Sequence, residues 1–244
     1  MRIQAVGDSA VRVGFPGEIS EEMNANIRGF CRKLEEAAIR GVIEWVPAYQ
    51  SVTVYYDPHY IGYREMKQNI AEVGAGEIPE AGIESRLIHV PVQYGGDSGP
   101  DLYRVARENG LQPEEVIEIH QQPEYLIYML GFLPGFPYLG GLDQRIATPR
   151  LQEPRPKIDP GSVGIAHGQT GVYPIASPGG WNLIGKTPLK LFQLEKGKQG
   201  FFLQAGDRVK FFSISALEFK QVEEQVEMGT YVVHTEGSEG NATD

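Results

Sequence analysis

The segment Gly180-Trp-Asn-Leu-Ile-Gly185-Lys186-Thr187 satisfies the phosphate-loop pattern letter for letter. In such a loop backbone N–H groups converge on phosphate, but only where a strand feeds it and a helix N-terminus follows. Here Ser177-Pro178-Gly179 precedes it and Pro188 follows it. The sequence then alternates as a strand through Leu189, Leu191 and Leu194. The expectation is a β-turn, with Lys186 as an isolated charge for an anion. His120 and His167 are of a type that carries protons near neutrality. The plainer reading of either is a hydrogen-bonded structural residue. Neither has a second His, Cys or carboxylate at metal-ligand spacing, so no metal site is expected. Arg145, Arg150, Arg155 and Lys157 form a local excess of positive charge flanked by Asp143 and Asp159. They are either solvated loop charges of little consequence or a clamp for a small carboxylate or phosphate, which a guanidinium fork suits. There is no Gly-x-Ser-x-Gly elbow, no Cys/His pair and no dinucleotide fingerprint.

These residues fall in or near the stretch from Tyr128 to Pro188, where Gly and Pro are dense enough to forbid long helices. Disordered Gly/Pro segments lack core-forming side chains, whereas this one carries Phe132, Phe136, Tyr138, Leu139, Tyr173 and Trp181. A tightly turned β core whose turns wall a ligand groove is the expectation.

The 244 residues suit one large or two ordinary domains, and 41% hydrophobic with 22% charged residues is globular. A formal charge of −10 argues against a nucleic-acid or anionic-membrane surface. The N-terminus reads as a strand, not a signal peptide, and no apolar window is long enough to span a bilayer. The single cysteine, Cys31, lies on an apolar helix face and fits buried filler in a reducing, cytoplasmic setting.

In chain order, Ile3 to Phe15 suggests a strand pair turning at Gly7-Asp8-Ser9. Ser20 N-caps a helix with Ile19, Met23, Ile27, Phe30 and Leu34 on one apolar face, closed by Gly41. Val42–Val46 and Ser51–Tyr56 read as strands, and Tyr63, Met66, Ile70 and Val73 as a second helix. Leu87–Val92 is available as a further strand, giving a small ferredoxin-like α+β domain over residues 1–85, with the boundary in the small, acidic run 74–85. Helices are expected from Pro100 to Gly110 and from Pro113 to about His120. Beyond Glu124 only short strands and turns are expected, with late strands at Phe201–Leu203, Asp207–Phe212 and Tyr231–Val233. Residues 86–234 would form a closed or nearly closed β-barrel domain and residues 235–244 a disordered acidic tail.

Gly131-Phe-Leu-Pro-Gly-Phe-Pro-Tyr-Leu-Gly140, Pro160-Gly-Ser-Val-Gly-Ile-Ala166, Gln169-Thr-Gly-Val-Tyr-Pro174, Pro178-Gly-Gly-Trp181 and Gly185-Lys-Thr-Pro188 are long, unusual motifs. Together with Gly7-Asp-Ser9, Tyr49-Gln-Ser-Val52, Tyr94-Gly-Gly96 and Gly99-Pro-Asp-Leu102, they resemble the KipI / PxpB family of 5-oxoprolinase B subunits, also called allophanate hydrolase subunit 1. The resemblance covers nearly the whole chain. It implies an α+β fold with a cyclophilin-like β-barrel as the second domain. It also implies an ATP-dependent 5-oxoprolinase that opens 5-oxo-L-proline to L-glutamate. The chain would be inactive alone, and its partners would be the A and the larger, KipA-like C subunits of that enzyme. The ATP site is left open between this chain and a partner.

Opening a resonance-stabilised lactam needs donors for developing negative charge, a clamp for the substrate carboxylate and a proton carrier. On the resemblance, turns at Gly135, Gly161, Gly179 and Gly180 supply donors, with Phe136, Tyr138, Gln169 and Trp181 around the substrate. Arg155 clamps the carboxylate, and His120 or Asp143 moves protons. The competing class is a binding protein that inhibits a sporulation sensor histidine kinase by gripping its dimerisation helices in a groove of Phe132, Phe136, Tyr138 and Trp181.

Overall fold

The computed structural model describes residues 1–75, 85–193, 200 and 202–237, and the chain divides into two compact units, Met1–Ile83 and Glu84–Asp244. Most of the boundary run (76–84), Leu194, Phe201 and residues 238–244 of the expected tail lie outside the described residues.

In the first unit, β1 (Arg2–Val6) and β2 (Ala10–Gly14) form a hairpin, followed by α1 (Glu21–Ala37), β3 (Val42–Pro47), β4 (Ser51–Tyr56) and α2 (Tyr63–Ala75). The antiparallel sheet has the order β1-β2-β4-β3. Val11, Val13, Val52 and Val54 bury one face of it in a cluster with Ile27, Phe30, Leu34, Met66 and Ile70 of the two helices. The Ser20 hydroxyl accepts from Met23 N at 3.1 Å, satisfying one of the orphan donors of α1. Two details differ from expectation. Ile19 precedes the cap and is exposed, and the left-handed residue that closes α1 is Ala38 (φ 44°), not Gly41. Cys31 is partly buried, and burial pushes its thiol up to about 12, which suits filler.

Leu87–Tyr94 does not complete this sheet; the edge beside β2 belongs to β1. As β5 it instead begins the second unit. That unit continues with α3 (Leu102–Asn109), α4 (Pro113–Gln121), β6 (Tyr125–Leu130), β7 (Pro137–Gly140) and β8 (Arg155–Ile158). Then come β9 (Ser162–Ala166), β10 (Gln169–Val172), β11 (Ser177–Gly179), β12 (Asn182–Lys186), β13 (Arg208–Ser213), α5 (Ala216–Met228) and β14 (Thr235–Glu236). Seven strands run β12-β9-β10-β7-β6-β13-β5, and β5 pairs back to β12, closing a barrel. Ile88, Val90, Val92, Ile127, Leu139, Val163, Ile165 and Val209 fill the core, with α3 and α4 contributing Val105 and Val116. β8 and β11 form a separate two-stranded ribbon.

Several late elements depart from the sequence reading. The segment after Glu124 contains the helix α5, opened by a capping box: Ser215 Oγ accepts from Glu218 N, and Glu218 accepts from Ser215 N at 2.7 Å. The pattern Ser-x-x-Glu followed by Phe219, Val222 and Val226 at helical spacing is its sequence signal. Phe202–Leu203, Leu189–Leu191 and Tyr231–Val233 are not strands. Thr235–Glu236, assigned above to a disordered tail, pairs with β5.

Candidate functional site

Phe136 begins the site. It follows the β6–β7 loop and is buried edge-on against three other rings: Trp181 at 5.4 Å, Tyr173 at 5.4 Å and Tyr138 at 5.3 Å between centroids. Edge-to-face contacts of this kind match the positive ring edge to the negative face and hold each ring in place. The four come from β7 and the residue before it, the segment after β10 and the residue before β12. With Phe132, Arg150, Gly179 and Gly180 they line a cavity of about 260 Å³.

At Gly179 the backbone of this cavity has no room for a side chain. A Cβ on Gly179 would lie 2.4 Å from the Tyr173 hydroxyl and 2.7 Å from Ile158 Cδ1, so only glycine permits that wall. On the outer side Phe132 is 69% exposed and holds φ at 65°, a left-handed conformation that costs a bulky side chain energy. That conformation sets its ring edge-on to Phe136 at 6.0 Å.

Arg150 supplies the charge. Its guanidinium is near enough to Tyr138 and Tyr173 to oppose the upward push that burial gives both phenols; for Tyr173 a backbone hydrogen bond from Trp181 opposes it more strongly. Both tyrosines therefore remain neutral donors at ordinary pH. Among the described residues no carboxylate pairs with Arg150, whereas its neighbours are taken. Arg145 binds Asp143 at 2.7 Å, Lys157 sits 3.4 Å from Asp159, and Arg155 binds Asp101 at 2.7 Å.

Arg155, expected to clamp a carboxylate from the substrate, thus already holds one from α3's N-cap. Asp101 uses its second oxygen to accept from Leu183 N at 2.7 Å, tying β8 through α3 to β12 directly after Trp181. In the β8–β11 ribbon Arg155 stands opposite Gly179. It is not among the residues lining the cavity, and its bond to Asp101 braces the ribbon that carries Gly179.

His120 is fully buried in the barrel, stacked on Phe211 at 4.7 Å. Thr170 Oγ1 donates to Gly164 O (3.1 Å), so it accepts from His120 Nε2–H (2.8 Å), and the Tyr94 hydroxyl donates to Nδ1 (2.8 Å). Both ring nitrogens are occupied in the neutral form, and burial lowers the pKa to about 3. His120 therefore stands in the barrel core as a neutral, hydrogen-bonded residue and is not among those that line the aromatic cavity. Asp143 caps the short 3-10 turn at Gln144–Ile146. Its hydrogen bonds from the Arg145 side chain and backbone hold its carboxyl below the usual range, so it stays ionised and engaged.

The remaining expected residues lie elsewhere. Gly135 (φ 79°) and Gly161 (φ 81°) shape turns, the latter against Thr187 O, and Gln169 opens β10. Lys186 ends β12 and borders a different depression with Pro160, Pro174 and Glu223. The apparent phosphate loop is neither loop nor turn: Asn182–Lys186 is a barrel strand whose N–H groups serve the sheet. His167 (φ 53°) is exposed at the β9–β10 turn. Of the expected site residues the structure unites Phe136, Tyr138, Gly179, Gly180 and Trp181. It joins to them Arg150, named above in the charge clamp, Phe132, named above in the helix-gripping groove, and Tyr173, named only as a core aromatic; as separate residues all three were legible in the sequence. Their convergence was not.

Among the described residues no helix is long and apolar enough to cross a membrane. A carboxyltransferase domain, subdomain C and D, matches residues 1–203. The chain is 46% identical over 235 residues to the 5-oxoprolinase B subunit of Bacillus subtilis, covering 92% of this chain and 97% of that protein. It is 39% identical over 211 residues to the 5-oxoprolinase B subunit of Haemophilus influenzae, covering 86% and 97%. The urea amidolyase of K. lactis shares the fold, with a TM-score of 0.80 at 19% identity over 97% of this chain and 16% of that one. On near full-length identity, the chain belongs to the family of 5-oxoprolinase B subunits.

Proposed function

We propose that this chain is the B subunit of an ATP-dependent 5-oxoprolinase that hydrolyses 5-oxo-L-proline to L-glutamate together with its A and larger C subunits. The observation that carries this reading is the near full-length identity to proteins of that name. The cavity supports it. A small planar lactam with one carboxylate needs apolar walls, a cation and neutral hydrogen-bond donors. Phe136 and Trp181, Arg150, and Tyr138 with Tyr173 offer those three things in about 260 Å³. That volume falls below the ~300 Å³ where drug-sized pockets begin, and a helix ~10 Å across does not enter it. The cavity therefore favours the small molecule over a kinase dimerisation helix.

In this reading Arg150 receives the substrate carboxylate, the rings fix the lactam plane, and Tyr173 or Tyr138 donates to the carbonyl oxygen as charge develops. ATP supplies the driving force for opening the ring. The strand at Asn182–Lys186 does not fit a triphosphate cradle, so we assign the nucleotide to a partner chain. We also read the first unit as ferredoxin-like, with β1 in the place of the terminal strand, and the barrel as cyclophilin-like.

The test is 5-oxoproline-dependent ATP hydrolysis by the reconstituted complex. No turnover with any co-expressed C and A subunits would refute the assignment. Within an active complex, loss of a charge-assisted bond worth about 1.5–3 kcal/mol should raise KM for Arg150→Ala roughly ten- to hundredfold, with Arg150→Lys between. An unchanged KM would remove Arg150 from the site.

A further inference from the structure

Sequence spacing around His120 and His167 predicts no metal ligands, but the fold brings a different pair of histidines together. β14 runs antiparallel to β5 with Thr235 opposite Ile88 and Glu236 opposite Leu87. Continuing that register places His234 opposite His89, and His89 N donates to His234 O at 3.0 Å. Because side chains alternate along a strand, the opposed pair His89/His234 and the residue two further on, Glu236, project from the same face. Ile88 and Val90 point into the barrel, so this is its outer face.

The donor atoms converge. His89 Nε2 is 2.7 Å and His234 Nε2 3.4 Å from the same Glu236 oxygen, the two imidazoles are 4.6 Å apart, and all donor atoms lie within 4.8 Å of one another. Ligands at ~2.0–2.2 Å around a tetrahedral zinc are roughly 3.3 Å from each other, so little adjustment is required. The set is two imidazoles and one carboxylate, borderline nitrogen with hard oxygen, as zinc and its late first-row neighbours prefer. Two cations of β13 share this outer face: Lys210 stands opposite His89, its ammonium engaged by the Gln122 carbonyl, and Arg208 stands opposite Leu87.

We propose that His89, His234 and Glu236 form a binding site for a divalent transition ion, zinc by preference, that ties the last strand to the barrel. Two ligands come from the segment at β14 and the third from β5, so the complete set exists only when the strands are paired. The ion and the docking of β14 are thereby linked: whatever binds only the paired form stabilises it. Solvent supplies the fourth position.

The experiment uses the tag-free, chelator-washed full-length chain titrated with zinc by calorimetry and, separately, with cobalt for its visible ligand-field bands. One zinc per chain is expected, together with at least about tenfold slower hydrogen exchange across residues 230–237 at saturating zinc. The double variant His234→Ala/Glu236→Ala should lose that site at least tenfold in affinity, and His89→Ala should do the same. Because His234 and Glu236 are largely exposed, the double variant should melt like wild type in chelator, which separates ligand loss from misfolding. Zinc uptake by wild type no greater than by the double variant would overturn the proposal. Uptake without slowed exchange at 230–237 would overturn the coupling to β14.

Discussion

Replacing Arg155 by alanine separates a brace from a substrate clamp. Its guanidinium bonds Asp101 at 2.7 Å, with side-chain exposures of 29% and 10%, and the other Asp101 oxygen holds Leu183 N. Truncation leaves a nearly buried carboxylate with a single neutral donor. Breaking a buried pair costs about 3–5 kcal/mol and an exposed one about 0–1. With Arg155 partly in water the cost should fall between, at about 2–3 kcal/mol. For a unit of this size each kcal/mol moves Tm by about 2–4 °C, so scanning calorimetry should show the transition of the barrel unit about 5–10 °C lower. A cycle of Arg155→Ala, Asp101→Asn and the double variant should return about 1–2 kcal/mol of coupling. Assayed well below that transition, KM for 5-oxoproline should stay within a few-fold of wild type, since Arg155 is not among the residues lining the cavity. A Tm within about a degree of wild type and no coupling would refute the brace. A large rise in KM at unchanged Tm would restore Arg155 as the clamp.

His120 makes the barrel acid-sensitive in a defined window. Its folded pKa of about 3 lies below the ordinary 6.5, so the unfolded chain binds the extra proton first. The contribution is full above about pH 7 and falls by about 1.4 kcal/mol per unit as pH drops from 6.5 towards 3. His120→Gln should flatten that slope in thermal unfolding between pH 7 and 5, whatever it does to stability at neutrality; an equal slope would show that His120 is not its source. Gly179→Ala must displace both the Tyr173 hydroxyl and Ile158 Cδ1, which would lie 2.4 and 2.7 Å from the new Cβ. A cost of about 1–3 kcal/mol and weaker 5-oxoproline binding by titration of the complex are expected, and wild-type values in both would show the wall to be yielding.

Much of the fold was legible where one physical signal dominated. The caps at Ser20 and Gly110, the apolar spacings of α1, α2 and α3, and the Gly7-Asp8-Ser9 turn each act over a few neighbouring residues, and each appears in the structure. α5 was missed although its capping box was readable, because the surrounding apolar pairs suggested strands. The site was half legible. Dense glycine among aromatics indicated close ring packing, and five of the expected residues do line the cavity. The roles of charged residues were not legible, since Arg150 and Arg155 are five positions apart and equal in chemistry.

What separated them was what lay across space: Asp101, more than fifty residues earlier, for Arg155, and Tyr138 with the aromatic cavity for Arg150. The same holds for His120, whose two hydrogen-bond partners come from β5 and β10, and for His89 with His234, joined only by strand register. The sequence by itself determined the family, through the resemblance of its long motifs, and most of the local elements and the composition of the cavity wall, because these last two rest on backbone constraint and short-range periodicity. The tertiary structure alone decided which polar groups were already satisfied and which remained for a ligand. Pairing a charge or a hydrogen bond is a matter of distance, and only the closed barrel sets the distances.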